Sequence, residues 1–198
     1  MAQELILASA SVARNRLLRN AGVLFRTVAS GIDEAAIKQK LKLDQKCPSE
    51  VVVALATAKA ISVGTQYPGN TIIGSDQLLV CDGQWFDKPT CVQTARNHLE
   101  RLSGRVHKLV NATVITRDNK PIWNYQNIIN VEMRKLSIGL IDEYLAKEGG
   151  AVCESVGAYK LEGYGAQLLT QVDGDFFSIL GLPILPLLRF LREQDILR

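Results

Sequence analysis

Leu7–Leu18 reads LASASVARNRLL, and the break inside it decides how the rest of the chain is read. Leu5 to Ala8 is a short apolar run suited to a buried strand. Ser9 and Ser11 interrupt it, and a helix-like segment carrying Arg14, Arg16 and Arg19 follows at once. A strand that gives way at serines to a helix N-terminus gathers hydroxyls and free backbone N–H groups at one point, where the positive end of the helix dipole also lies. Arginines in the first turns add fork-shaped donors that match phosphate oxygens. The stretch predicts an anion site, above all for a polyphosphate. An ordinary N-cap with solvated arginines is the other reading.

Outward from this segment, 198 residues suffice for one sizeable domain or two small lobes with a real core. An apolar content of 47% and a charged content of 22% are those of a folded globular chain. A net charge of +3 is too small for a dedicated nucleic-acid surface but allows a locally basic pocket for a small anion. Glu4 interrupts the N-terminus, and no basic segment precedes an apolar one, so a secretion signal is not expected. Ile179 to Leu188 is apolar, yet Gly181, Pro183 and Pro186 break it and it is too short to span a bilayer. Cys47, Cys81, Cys91 and Cys153 lack paired metal-ligand spacing, and only His98 and His107 could join them. The expectation is reduced thiols in a cytoplasmic protein, without a His/Cys zinc site and without a membrane partner.

No repeat or Gly/Ser/Pro-rich linker divides the chain, and strand-like and helix-like patterns alternate. Phe25–Ala29 reads as a strand, Val51–Val63 as a helix with Ser49 as its N-cap, and Thr71–Val80 as a strand running past Gly74-Ser75-Asp76. Thr90–Leu102 is predicted helical, Lys108–Arg117 a strand, and Asp118-Asn119-Lys120-Pro121 a turn. Ile128–Arg134 follows as a strand, Ser137–Glu148 as a helix closed by Gly149-Gly150, and Pro183–Leu197 as the last helix. The pattern is that of an α/β fold with a mixed sheet and a second lobe, and small ligands bind in clefts between lobes.

Asp76 is the sharpest chemical candidate, because it stands between Ile72-Ile73 and Leu78-Leu79-Val80 in a segment fit for burial. A carboxylate there requires a partner, a metal or a proton, since an unpaired buried charge costs several kcal/mol. A structural salt bridge would satisfy it equally. Asp33-Glu34 follows the Ser30-Gly31 turn as a solvated pair, or as a carboxylate joining Asp76 around a hard divalent ion. Lys59 lies among the small residues of Leu55–Ala60, and Lys88 precedes Pro89, which holds it extended. Each is a phosphate ligand or a plain surface lysine. His107, in Ser103–His107, reads first as a structural hydrogen-bonder. Gly157–Gly165 (GAYKLEGYG) is glycine-rich without being a phosphate loop; it suits close approach to a flat ligand, with Glu162 able to accept hydrogen bonds from a base edge. Asp173-Gly174-Asp175 is most simply a turn.

Taken in order, LASAS, GIDE at Gly31–Glu34, ALATAKA at Ala54–Ala60 and GSDQLL at Gly74–Leu79 form a series. DKP at Asp87–Pro89, LSGRVH at Leu102–His107, SVGAYKLEGYG at Ser155–Gly165 and GDFFSILGLPI at Gly174–Ile184 complete it. The series closely resembles the Maf family of nucleoside triphosphate pyrophosphatases and spans nearly the whole chain. The resemblance implies a single domain over residues 1–198, with a two-lobed, inosine-triphosphatase-like α/β fold. Its mixed central sheet would be flanked by helices, with an inter-lobe cleft. It implies cytoplasmic hydrolysis of a nucleoside triphosphate to the monophosphate and pyrophosphate with a divalent metal, Mg²⁺ or Mn²⁺, and it admits a homodimer. Carried over position by position, the catalytic aspartate falls on Asp76 and the motif glutamate on Glu34, these two also holding the metal. The two lysines fall on Lys59 and Lys88, and the phosphate-loop serine and second arginine on Ser9 and Arg14, with Ser11 beside them.

Two departures stand out. Where the family loop reads SPRR, this chain has Ser11-Val12-Ala13-Arg14, one arginine short at Ala13. Arg16, three residues on and on the same helix face, points back toward that gap and is expected to fill it. The AYxIQG segment carries glutamine in members similar to dTTP/UTP pyrophosphatases, whereas Glu162 stands here as in members acting on 7-methyl-GTP. A carboxylate accepts but does not donate, so it matches the guanine N1–H and N2–H₂ edge better than a uracil edge. The frame around it is closer to the pyrimidine type. A competing class is a nucleotide-binding regulator of septum formation and division with little turnover, favoured by Ala13 and opposed by the retention of Asp76, Glu34, Lys59 and Lys88.

Overall fold

In the computed structural model, which describes residues 4–197, the apolar run at the N-terminus is β1 (Leu5–Leu7), and α1 (Val12–Asn20) starts directly after the serines. Ser11 caps α1, its Oγ accepting from the Arg14 N–H at 3.4 Å. There follow β2 (Arg26–Thr27), α2 (Glu34–Leu43), α3 (Pro48–Gln66), β3 (Thr71–Cys81), β4 (Gln84–Phe86) and α4 (Val92–Leu102). Next come β5 (Val106–Arg117), β6 (Lys120–Met133) and α5 (Ile138–Glu148), then β7 (Leu169–Asp173), the single turn α6 (Phe176–Ile179) and α7 (Ile184–Glu193).

The seven strands form a mixed sheet in the order β2-β1-β3-β5-β6-β7, with β4 paired to β3. β1 runs parallel to β2 and β3, while β3/β4 and β6/β7 are antiparallel. The expected α/β class with a mixed sheet flanked by helices is therefore the one observed. Asp118 and Asn119 have φ of +49° and +60°, the left-handed pair a two-residue hairpin turn needs between β5 and β6.

Some boundaries differ from the sequence reading. α3 begins at Pro48 with Cys47 as N-cap, not Ser49; Glu50 reaches back to accept from the Cys47 N–H at 2.9 Å, and proline fits the first helical position. β6 starts eight residues before Ile128, and α2 and β7 occupy segments to which no element was assigned.

The chain divides into two compact units. One comprises the chain up to Gln77, Asn111–Asn127 and the chain from Phe176; the other comprises Leu78–Val110 and Ile128–Asp175. In the first unit, the two-residue period of β1 and β3 sends alternate side chains to opposite faces. Leu5, Leu7, Ile73 and Ile115 pack with Leu17 and Leu18 of α1 and Leu187, Phe190 and Leu191 of α7. Ile6, Ala8 and Ile72 pack instead on Ala60 and Val63 of α3. In the second unit, Ala95, Leu99 and Leu102 of α4 and Ile141, Tyr144 and Leu145 of α5 are buried. Cys47, Cys81, Cys91 and Cys153 are all free thiols, and among the described residues no helix is long and apolar enough to cross a membrane.

Candidate active site

The alternation of β3 determines which side chains meet in the first unit. Ile72, Gly74 and Asp76 face α3; Ile73, Ser75 and Gln77 face the other way. On α3 the stripe Val52, Leu55, Ala56, Lys59, Ala60 and Val63 turns inward, so Lys59 occupies a core slot and only 6% of its surface is exposed. Gly74 makes the approach possible: a Cβ there would lie 2.0 Å from the Ala56 carbonyl oxygen and 3.0 Å from the Ala60 Cβ.

Lys59 Nζ is consequently held between two carboxylates, 2.7 Å from Asp76 Oδ1 and 2.9 Å from Glu34 Oε1. Asp76 is 3% exposed, and its second oxygen, Oδ2, is buried without a hydrogen-bond partner. Glu34 comes from the first turn of α2 and remains part-exposed; its neighbour Asp33 caps that helix, accepting from the Ala36 N–H at 3.0 Å. The Asp33-Glu34 pair thus divides its work, one side chain to the backbone and one to the cluster.

Arg14 closes the other side. Its Nε donates to the Gly181 carbonyl at 2.8 Å and its Nη1 to Ser9 Oγ at 3.3 Å, while Ser9 Oγ also accepts from the Ser11 N–H at 3.2 Å. Burial lowers the Arg14 pKa from its ordinary value, and the charges of Asp76 and Glu34 pull it back upward. Two cations and two carboxylates thus share one electrostatic neighbourhood, in which one buried carboxylate oxygen has no hydrogen-bond partner.

Ser9, Ser11, Arg14, Glu34, Lys59 and Asp76 are brought together. Arg16 is exposed on the outer flank of α1, where it lines an open hollow with Ser11, Asn15, Arg19 and Thr27. Lys88 and Glu162 belong to the second unit and are both exposed, Lys88 just past β4 and Glu162 within the glycine-rich loop. That loop is tied from within its own unit. Tyr159 OH lies 2.6 Å from His107 Nε2, Ser155 Oγ donates to the Tyr159 carbonyl at 2.7 Å, and Tyr144 OH donates to the Ala158 carbonyl at 3.1 Å. Burial pushes the His107 pKa down to about 4 and raises those of Tyr144 and Tyr159. His107 is thus the structural hydrogen-bonder expected of it.

Ser75, Thr113 and Gly181 stand out only in the folded chain, where Ser75 Oγ lies 3.0 Å from the Gly181 carbonyl and accepts from Thr113 Oγ1 at 3.1 Å. The period of β3 marks Ser75 as inward-facing; nothing local marks the Gly181 carbonyl.

A family model described as Maf-like protein matches residues 4–194. The chain is 45% identical over 189 residues, 96% of its own length and 97% of the relative's, to a nucleoside triphosphate pyrophosphatase of Paramagnetospirillum magneticum. It is 43% identical to a 7-methyl-GTP pyrophosphatase of Brucella abortus, covering 98% of both chains. A 7-methyl-GTP pyrophosphatase of Rhizobium meliloti is 46% identical, over 96% of this chain and 95% of its own.

Proposed function

This chain belongs to the Maf-like protein family, and on that premise we propose that it hydrolyses a nucleoside 5′-triphosphate to the monophosphate and pyrophosphate. The observation that carries the site assignment is the Lys59–Asp76–Glu34 cluster with its buried, unpartnered Asp76 Oδ2. Lys59 occupies one oxygen of Asp76 and leaves the two lone pairs of the other, one for a water proton and one for a cation. Asp76 is the general base: it takes that proton as the water oxygen bonds to phosphorus and the bond bridging the α and β phosphates breaks. Lys59 and Arg14 oppose the charge on the phosphate oxygens, and Ser9 and Ser11, whose hydroxyl oxygens accept from Ser11 N–H, Arg14 Nη1 and Arg14 N–H, keep their hydroxyl protons to donate at the start of α1.

The donor set fits a hard divalent cation. A buried carboxylate oxygen without a partner and a part-exposed carboxylate on a common lysine are two oxygen ligands, as Mg²⁺ takes when substrate phosphates complete its shell. Held by Asp76 and Glu34, Mg²⁺ or Mn²⁺ would supply neutralisation of phosphate charge.

Two further roles rest on motif position: Lys88 for a phosphate oxygen and Glu162 for the edge of the base. Arg16, on the flank of α1 that opens beside Ser11, stands in for the arginine missing at Ala13. Glu162 favours a guanine-type or modified base, in keeping with the names of two of the relatives. Four unpaired thiols accord with a reducing, cytoplasmic setting, and a charge of +3 with a small anionic substrate rather than a nucleic acid.

The test is pyrophosphate release from a panel of ordinary and modified nucleoside triphosphates, with Mg²⁺, with Mn²⁺ and after chelation. Release with 7-methyl-GTP ahead of UTP is expected, and Asp76→Asn lowers turnover about 1,000-fold while the protein still melts cooperatively, at a lower Tm because the buried Lys59 loses a charged partner. A folded Asp76→Asn protein with full turnover removes Asp76 from its role. Silence of the wild type across the panel favours the nucleotide-binding regulator.

A further inference from the structure

The buried turn between α6 and α7 is the most heavily hydrogen-bonded feature near the cluster that the reaction leaves unused. It lies in the GDFFSILGLPI motif, and side chains donate to its Ser178, Ile179 and Gly181 carbonyls. Gln77 Nε2 donates to the Ser178 and Ile179 carbonyls, each at 3.1 Å. Asn127 Nδ2 donates to Ser178 Oγ at 2.8 Å, and the Gly181 N–H closes the turn on the Ser178 carbonyl at 3.0 Å. Ser75 Oγ lies 3.0 Å from the Gly181 carbonyl and 3.1 Å from the Ala112 carbonyl, so its one proton is shared between them. Ser75, Thr113 and Ser178 are all fully buried. Apolar side chains would fill such a space without the desolvation cost of hydroxyls, so this layer is retained for placement rather than for packing.

What it places is Arg14. Nε of Arg14 meets the Gly181 carbonyl at 2.8 Å, which fixes the plane of the guanidinium, and Nη1 meets Ser9 Oγ. Among the described residues, five donors less these two leave three N–H groups for a ligand. Residue 181 must also be glycine. Its φ is +98°, and a Cβ there would lie 3.2 Å from Arg14 Nε, against the side chain it orients. We propose that Gly181 is a positioning residue: its carbonyl, steadied by Ser75, sets the Arg14 guanidinium in the orientation that receives a phosphate group. This rests on the reading of Arg14 as a phosphate ligand.

A double-mutant cycle on kcat/KM tests it, with Gly181→Ala, Arg14→Ala and the pair, each checked for a cooperative melt. Gly181→Ala is expected to lower kcat/KM about 30-fold and to have no further effect once Arg14 is absent. Effects that multiply overturn the proposal, because a merely structural glycine would act independently of Arg14. Should Gly181→Ala not fold, Ser75→Ala enters the same cycle with an expected loss of about fivefold, again abolished by Arg14→Ala. Calorimetric binding of pyrophosphate with Mg²⁺ provides an arm independent of turnover. Binding weakened alike in Gly181→Ala and Arg14→Ala supports the proposal even if the wild type turns over no nucleotide, an outcome that would overturn the reaction alone. Wild-type affinity in Gly181→Ala, or no pyrophosphate binding by the wild type, overturns the positioning role.

Discussion

Lys59 shows how one residue ties packing to chemistry. It stands in the apolar stripe of α3 where a leucine or alanine would serve the core, and its ammonium is tolerable there because Asp76 and Glu34 meet it. Asp76 was legible as a buried carboxylate from its apolar flanks, whereas its partner was not, since Lys59 is 17 residues away on another element. Arg16 is a second case. It was singled out from the vacancy at Ala13, and it is exposed on α1, lining the hollow beside Ser11. Arg16→Ala is expected to reduce kcat/KM about tenfold with the melt unchanged; an unaltered kcat/KM removes it from substrate binding. His107 carries a pH dependence. Its pKa near 4 in the folded state lies below the 6.5 of a free imidazole, so the unfolded chain binds the extra proton first. Its stabilising contribution is present above pH 6.5 and is lost as pH falls toward 4, a change of roughly 3 kcal/mol. Urea melts at about pH 7.5 and 5 should show roughly 2 kcal/mol of this loss in the wild type and a smaller change in His107→Gln. Equal losses would mean that the imidazole is not held neutral by the fold.

At the level of elements, β3 does the most. A shift of one residue in its register would exchange Asp76 for Ser75 on the α3 face, and the apolar alternation of Ile72 and Ile73 across two cores prevents that shift. Gly74 sets the distance between β3 and α3. Gly74→Ala would drive a Cβ into the Ala56 carbonyl, forcing backbone apart. The expected loss is about 3 kcal/mol, or roughly 6–12 °C in Tm, with turnover falling as Lys59 leaves Asp76. Scanning calorimetry checks it, and a Tm within about 2 °C of the wild type would show that strand and helix have room to spare. The elements missed in the sequence are those with little core to report. α2 has no buried residue and β7 is mostly exposed, so neither shows a clear apolar period. The first half of β6 is likewise mostly exposed; what makes it a strand is pairing with a neighbour, a non-local fact.

For the molecule as a whole, local chemistry determined a great deal. The apolar runs, their periods and the serine break after Ala8 suffice for the α/β class, the start of α1 and the series of motifs along the chain. They do so because strand and helix periods, capping and glycine turns are properties of a few adjacent residues. Only the tertiary structure decided that Glu34 pairs with Lys59 while Asp33 caps α2, that Asp76 keeps one oxygen without a partner, and that Gly181 and Ser75 stand behind Arg14. Those contacts join residues from 17 to 167 positions apart. No local propensity encodes such distances; they follow from which faces of β1, β3 and α3 had to be buried together.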